Sequence, residues 1–438
     1  MYAKFLCALL LACSAHVCAD TISANPVNPE SQDSGTLSFD HALHLAQALA
    51  PELKAAASAI QAARLDAISA GRLPNPKLAF GIDNVPINSV DRFSFSGESM
   101  TMRRIGVMQE FPNARKRAAQ KAIAQGEIRV RENLQNSADI ALSSNVAAAW
   151  LARYSSERQI LEVQELRAEN QRFADALAAQ FAGGKAALVD ILAPKIEAAQ
   201  LDEVDDGLQA QRLVAIASLK RWLGDRANAP LQGSPPHWLR ISTAQLAPAN
   251  QQWRGTVDQH PALIGLHAQL NVADARIAVA RADKRPDWAL ELVYQERSRP
   301  FSDMVSLQFS VDLPIFAGRR IDPSIAARAS ERAALAAETD AATRERQANL
   351  DAQLAQLARL TQAFARQNDT LVPLAQEKMR LSTAEWSAGS GNLRDLMIAR
   401  REGLLAKLRA IELDTERMQA IAALHYSYGT VGRLGAAP

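Results

Sequence analysis

Few residues in this sequence have the types and spacing of a catalytic, metal-binding or phosphate-binding site. His41 and His44 stand three residues apart and would share one face of a helix. A zinc site takes three or four ligands and no third follows nearby, so we interpret them as a surface pair. Gly183-Gly184-Lys185 has part of a phosphate-binding loop, but Ala179 and Ala186 stand where that motif requires glycine and serine or threonine. With no nucleophile elbow and no His-Glu-x-x-His motif, we predict neither an enzyme nor a bound cofactor or metal.

The amino-terminal residues have the composition of an export signal. Lys4 supplies the positive end, Phe5–Ala12 is a short apolar core, and Val17-Cys18-Ala19 fits the small-residue cleavage rule. We therefore predict a signal peptide over residues 1–19. The alternative is a lipoprotein box that ends at Cys13 and would leave a lipid on that residue.

Composition limits the partners of the exported chain. All three cysteines lie at positions 7, 13 and 18, so a chain cleaved after Ala19 has no disulfide and is held by packing or assembly. The formal net charge of +2 disfavours nucleic acid, which usually selects a strongly basic surface. No apolar stretch reaches the ~18 residues of a membrane-spanning helix. A membrane β-strand, however, needs only about ten residues of alternating character.

Two turn segments of the sequence repeat each other. Each has an aromatic residue, a glycine three residues later and an aspartate six residues after that: Phe181, Gly184 and Asp190 in the first copy, and Trp386, Gly389 and Asp395 in the second. The offset of 205 (395 − 190) holds without gaps over residues 181–224. A fixed offset of this length indicates a tandem duplication.

The upstream parts repeat with small shifts. Pro76 matches Pro286, and Phe111-Pro112 matches Leu313-Pro314. Each copy then reads helix, strand, strand, long helix, helix. The predicted domains are an N-terminal extension at 20–36, a first repeat at 37–224, a Pro-rich linker at 225–256, a second repeat at 257–429 and a tail at 430–438.

Alternation with period two predicts the strands. Val305–Leu313 alternates strictly between apolar and polar residues, and Trp288–Tyr294 is its expected partner. The first repeat has a weaker pair of strands, marked by Leu78, Phe80, Ile82, Ile105 and Val107. Long loops are expected at 83–101 and 295–304. A soluble antiparallel sheet with one wet face would show the same alternation, so the strands alone leave a membrane role open.

The helices predicted after the strands are too long for one small core. Asn113 to about Phe181 contains no proline and is rich in good helix formers, which at 1.5 Å per residue gives ~100 Å. The second copy runs from about Ile325 to Trp386, with Pro373 as an expected kink. Such helices need long neighbours, as in a bundle or tube. A coiled-coil filament is the alternative, but it does not explain the strands or the repeat.

The strands indicate assembly. Four strands in lipid would expose unpaired backbone at both sheet edges, so chains would have to share a barrel. Two chains would give a barrel of eight strands filled by its own side chains, whereas three would give twelve and an open bore. The predicted fold is therefore mainly α-helical with a small membrane β portion. Three chains would form a 12-stranded β-barrel continued by an α-helical barrel.

The sequence resembles the TolC-like outer membrane efflux proteins. The resemblance rests on the duplicated unit, on the glycine six residues before aspartate, and on proline followed by basic residues after the strands. Three short motifs are most similar to the heavy-metal, CzcC-like branch: Leu73-Pro74-Asn75-Pro76, Asp83-Asn84-Val85-Pro86 and Gln109-Glu110-Phe111-Pro112. The resemblance covers about residues 37–429.

The resemblance implies a homotrimeric duct in the cell outer membrane, with its helical tunnel in the periplasm. Its partners would be a periplasmic adaptor (membrane fusion) protein and an inner-membrane pump of the resistance-nodulation-division type. The cargo would be heavy-metal cations. Ducts for drug efflux or type I protein secretion are the alternatives, and a periplasmic adaptor or a structural coiled coil is a more distant one.

The resemblance also implies a periplasmic gate at the two repeated turns. Phe181, Gly184 and Asp190 stand at one turn, and Trp386, Gly389 and Asp395 at the other. The sequence departs from the family where it has Gly391 in place of a basic residue and Ile398 in place of a second aspartate. Three Asp395 carboxylates could attract cations at a constriction. Alternatively, both aspartates cap the helices that follow them.

Overall fold

The computed structural model of the protein describes residues 35–88, 90–184, 187–299 and 301–429. The chain forms two units, residues 1–36 and 37–438, and the second contains every helix and strand discussed below. The expected signal peptide, the alternative lipid site at Cys13 and the predicted tail lie outside the described residues.

The elements follow the predicted repeat order. The first half contains α1 (Phe39–Leu49), α2 (Pro51–Ser69), β1 (Lys77–Asp83), β2 (Met102–Phe111), α3 (Ala114–Ala182) and α4 (Leu188–Leu223). The second half contains α5 (Thr243–Gly255), α6 (Pro261–Ala282), β3 (Trp288–Arg297), β4 (Met304–Val311), α7 (Ala317–Arg366), α8 (Val372–Ser387) and α9 (Leu393–Tyr428). The mainly helical fold class with a small sheet is confirmed.

The four strands form one antiparallel sheet in the order β1-β2-β3-β4. Its register brings the apolar residues of all strands onto one face, in the rows Phe80–Ile105–Tyr294–Val305 and Leu78–Val107–Leu292–Leu307. These side chains are exposed, up to 81% for Phe80. At one end of this face the Trp288 ring stacks on Phe111 with centroids 4.0 Å apart. The opposite face carries mostly small and polar residues, such as Gly106 and Ser306.

The first long helix has the predicted bounds. Asn113 is its N-cap, and its Oδ1 accepts a hydrogen bond from the Lys116 N–H at 2.9 Å. The backbone N–H of Asn113 in turn donates to Asp287 Oδ1 at 2.7 Å, which ties the start of α3 to the start of β3. With 69 residues, α3 is ~100 Å long.

The second long helix differs from the prediction at its start. It begins at Ala317 rather than near Ile325, and so contains Pro323. Proline removes one backbone hydrogen bond, and this helix tolerates that loss close to its exposed N-terminal end. Just before Pro373, where a kink is expected, the regular α-helix is interrupted. A five-residue π-helical segment, Gln367–Leu371, separates α7 from α8, which begins directly before this proline.

The main core lies where the short helices pack on the long ones. Trp150 of α3 is fully buried, contacts Phe39 edge-to-face at 5.4 Å, and donates from Nε1 to the Leu37 carbonyl at 3.2 Å. The Pro-rich linker contributes α5 and buries Leu239 and Trp253 in the same core. The linker is therefore an ordered connection between the repeats.

Candidate functional site

The turn between α3 and α4 is built by glycine and closed by Asp190. Gly184 has a φ of +71°, a conformation that residues with a Cβ rarely adopt. Asp190 Oδ2 accepts a hydrogen bond from the Ala187 N–H at 3.0 Å, and Ala187 has no side-chain acceptor of its own. Asp190 therefore satisfies a free N–H at the start of α4, which is the capping role considered as an alternative. Phe181, in the last turn of α3, is 42% exposed.

The turn between α8 and α9 is tighter. Gly389 has a φ of +74°, and the N–H groups of Ser390 and Gly391 both donate to the Glu385 carbonyl, at 3.0 and 2.9 Å. A Cβ on Gly391 would lie 2.8 Å from both the Cβ of Glu385 and the N of Trp386. The turn thus leaves no room for a side chain at 391, which explains why a basic residue is absent there.

Asp395 has different surroundings from Asp190. The N-cap of α9 is Asn392, whose Oδ1 accepts from the Arg394 N–H at 3.0 Å. Asp395 is exposed in the first turn, and among the described residues nothing donates a hydrogen bond to its carboxylate. The capping role is therefore filled by another residue at this turn, and the Asp395 charge faces solvent in the single chain.

Beneath the turns, aromatic residues connect the two repeats. The Trp386 ring lies 5.0 Å from that of Phe173 on α3, centroid to centroid. The guanidinium of Arg400 on α9 lies over the same Phe173 ring, 5.3 Å from its centroid. Such cation–π contacts are worth up to ~2 kcal/mol when desolvated. Trp386 is thus fixed against α3 of the first repeat, whereas Phe181 has no ring contact among the described residues.

A buried ion pair completes this layer. Arg400 Nε lies 3.3 Å from Glu197 Oε1 of α4, and both side chains are only about 10% exposed. Burial raises the pKa of the Glu197 carboxyl above its ordinary value, and the attraction of Arg400 opposes that rise. Glu197 Oε2 and Arg400 Nη2 are buried without a hydrogen-bond partner among the described residues. The pair is costly to bury, so removing either member would leave an uncompensated charge.

The two turns meet along one groove between α4 and α9. This cavity of about 510 Å³ has mainly apolar walls, including Val189, Ile196 and Ile398. Asp190 and Asn392, from the two different turns, also line it. The structure therefore brings both repeated turns to the same end of the helices, as the sequence repeat predicts. Asp395 does not line this groove.

Sequence reasoning missed Glu197 and Arg400. The signal that could have found them is the repeat itself, because Glu197 matches Glu402 and Arg400 matches Lys195 at the same offset of 205. Within the part of the chain that the structure describes, no three His, Cys, Asp or Glu side chains are grouped as metal ligands. Across residues 35–88, 90–184, 187–299 and 301–429, no helix combines the length and apolar character needed to cross a membrane.

Comparison with known proteins identifies the fold. No protein-family model and no curated protein matches the sequence. Among solved structures, the channel CusC matches with a TM-score of 0.72 at 15% identity, over 89% of this chain and 92% of CusC. The CmeC outer membrane channel of Campylobacter jejuni matches at 0.72 and 12%, over 89% and 85%. VceC, an outer membrane protein of Vibrio cholerae, matches at 0.69 and 18%, over 89% and 96%.

These matches define the class of fold: the chain has the duplicated strand-and-long-helix fold of outer-membrane channel proteins. At identities below 20% they establish the fold of this chain and not its cargo.

Proposed function

We propose that this chain is one subunit of a homotrimeric outer-membrane efflux duct. The observation that carries the proposal is the sheet: an open four-stranded sheet whose apolar face is exposed along its length. Large apolar side chains on β4 are 61–70% exposed at Val305, Leu307 and Phe309, and no element among the described residues covers them. Lipid is the solvent that favours such a face, and the open edges β1 and β4 require further strands.

Three chains would supply those strands. Twelve strands make a closed barrel with an open bore, and α3, α4, α7, α8 and α9 would continue the tube through the periplasm. The chain would conduct passively. Its partners would be a periplasmic adaptor protein and an inner-membrane pump of the resistance-nodulation-division type, which would supply the energy.

The gate would lie at the two repeated turns. Asp395 is the residue best placed to act on cations, because its carboxylate is exposed and carries no capping bond. Trp386 and Gly389 would shape its turn, while Phe181, Gly184 and Asp190 would hold the other. Asp190 is bound to the α4 terminus, so its contribution would be mainly structural.

We further propose heavy-metal cations as the cargo. The support is the similarity of three short motifs to the heavy-metal branch, together with the exposed carboxylate at the gate. Deletion of the gene should increase sensitivity to metal cations and leave sensitivity to hydrophobic drugs unchanged. The reverse pattern would contradict the metal assignment and favour a drug duct.

Purification tests the duct itself. The protein should fractionate with the outer membrane, run in native mass spectrometry as a trimer in detergent, and open ion-conducting pores in planar bilayers. A stable monomer that stays in solution without detergent would overturn the proposal.

A further inference from the structure

The buried ion pair contains two of the four charged residues that the duplication places at equivalent positions. Glu197 comes from the first repeat and Arg400 from the second. At the offset of 205, Arg400 matches Lys195 and Glu197 matches Glu402, so each charge of the pair is present twice in the chain. Of these four charges, only Glu197 and Arg400 meet in a buried contact among the described residues.

The other combination lies on the surface. Lys195 is exposed on α4, and among the described residues no carboxylate comes within ion-pair distance of it. Glu402 is exposed on α9 and forms an ion pair with the half-exposed Lys378 at 2.6 Å. The matched charges therefore differ in their surroundings although the repeat gives them equivalent positions.

The long helices show the same asymmetry. The helix α3 packs against α2 and α4 of its own repeat and also against α6 and α9 of the second. Its counterpart, α7 with α8, packs against α6 and α9 of its own repeat but has no comparable contact with α2 or α4. In consequence 19 of the 69 residues of α3 are buried, compared with 6 of the 50 residues of α7 and none of α8. The second repeat thus lacks the neighbours that the first one has.

We infer that a second copy of this chain supplies those neighbours, and that Lys195 of that copy pairs with Glu402. The inference rests on the proposed trimer. If the two repeats are equivalent units around the trimer axis, one rotation relates each unit to the next. That rotation carries the first repeat onto the second repeat of the same copy, and the second repeat onto the first repeat of the neighbouring copy. With two repeats in each of three chains, the ring closes after six units. The contact between Glu197 and Arg400 then recurs between copies as the contact between Glu402 and Lys195.

The same rotation can be applied to the strands. In the sheet, Gln109 of β2 pairs with Leu290 of β3. The matched prolines and strand ends give offsets of 202 (313 − 111) from β2 to β4 and 210 (286 − 76) from β1 to β3. Applied to the β1–β2 register, these offsets give the β3–β4 register to within two residues, so the rotation places Val311 of one copy within two residues of Phe80 of the next. Both residues lie on the apolar face, so this face would continue from β4 of one copy to β1 of the next. A pairing register shifted by one residue would instead place the apolar side chains of β1 on the opposite face.

Cross-linking tests the contact directly. The full-length variant Lys195→Cys/Glu402→Cys, treated with a short thiol-reactive cross-linker, should give covalent dimers and trimers on denaturing gels. Each single-cysteine variant measures the background from the native cysteines at positions 7, 13 and 18. The matched control is Glu197→Cys/Arg400→Cys, whose two thiols lie in one chain. It should cross-link within the monomer and give no ladder.

The outcomes separate this inference from the proposed function. If native mass spectrometry finds the trimer but the Lys195→Cys/Glu402→Cys variant gives only monomers, the contact is wrong and the duct stands. If the wild-type chain is not a trimer, the proposed function fails first.

Charge reversal gives a second readout. Lys195→Glu should reduce the trimeric fraction at low salt several-fold, and Lys195→Glu/Glu402→Lys should restore it. The control Lys195→Glu/Glu412→Lys, with the second reversal about 15 Å further along α9, should not. Equal recovery with both double variants would overturn the assigned pairing.

Discussion

Glu197 and Arg400, 203 residues apart in sequence, form a buried ion pair that joins the two repeats of this chain close to their turns. The contact connects α4 to α9, and the Phe173 ring of α3 lies against the same guanidinium. Three of the long helices thus meet at one charged layer.

Breaking the pair should destabilise the protein strongly. Arg400→Met should lower the free energy of unfolding by about 3–5 kcal/mol, because Glu197 would remain buried without its partner. The double variant Glu197→Met/Arg400→Met should recover a large part of that loss. Denaturant unfolding in detergent measures both. Arg380→Met, which removes an exposed pair with Glu377 on α8, is the matched control and should change the stability much less, because water screens an exposed pair.

Acid should destabilise the fold through His260. This residue caps α6, and its Nε2 lies 2.8 Å from Nη1 of Arg346, with the Tyr428 ring nearby. Burial, together with the charge of Arg346, lowers the pKa of His260 to about 4. As the pH falls, the unfolded chain therefore binds a proton on His260 at a higher pH than the folded chain does. The free energy of unfolding should then decrease between pH ~6.5 and pH 4, by up to about 3 kcal/mol.

The variant His260→Asn tests this assignment. Asparagine retains a cap acceptor but does not titrate, so the slope of stability against pH between 6.5 and 4 should become shallower. Thermal unfolding at several pH values measures it. An unchanged slope would assign the acid sensitivity to other groups.

The turn between α8 and α9 should respond differently from a helix to added methyl groups. Gly391→Ala should destabilise, because its Cβ would meet backbone and side-chain atoms at 2.8 Å. Gly389→Ala should cost about 1–2 kcal/mol from its positive φ. Gly207→Ala is the control, since it lies inside α4 with nothing within 4 Å and should stabilise by about 0.5–1 kcal/mol. Melting temperatures of the three variants would rank them.

Cation selectivity should depend on Asp395. In planar bilayers, Asp395→Asn should lower the ratio of cation to anion permeability several-fold at low salt, because it removes a ring of three charges in the proposed trimer. Asp66→Asn on α2, far from the turns in sequence, removes the same charge and should leave the ratio unchanged. Equal ratios in all three proteins would exclude a role for Asp395 in selectivity.

The two faces of β4 should tolerate charge differently. Phe309→Arg places a cation on the apolar face and should cost about 2–4 kcal/mol if that face meets lipid. Gln308→Arg, one residue away on the opposite face, should be accepted. The yield of heat-modifiable trimer in the outer membrane distinguishes them. Similar yields for both variants would contradict a lipid-facing sheet.

The sequence by itself determined what depends on local patterns. Period-two alternation located Trp288–Tyr294 and Val305–Leu313, and Asn113 marked the start of α3, because strand pleating and helix capping act within a few residues. The offset of 205 placed both turns at the same end of the helices, since duplicated segments fold alike.

Only the tertiary structure decided which helix faces meet. Periodicity shows that a helix has an apolar face but not which neighbour covers it. The pairing of Glu197 with Arg400 and the contact of Trp386 with Phe173 join residues about 200 positions apart. The different surroundings of Asp190 and Asp395 also arose there, because Asn392 caps one helix and Ala187 cannot cap the other. Such contacts are set by the packing of whole helices, which no short stretch of sequence specifies.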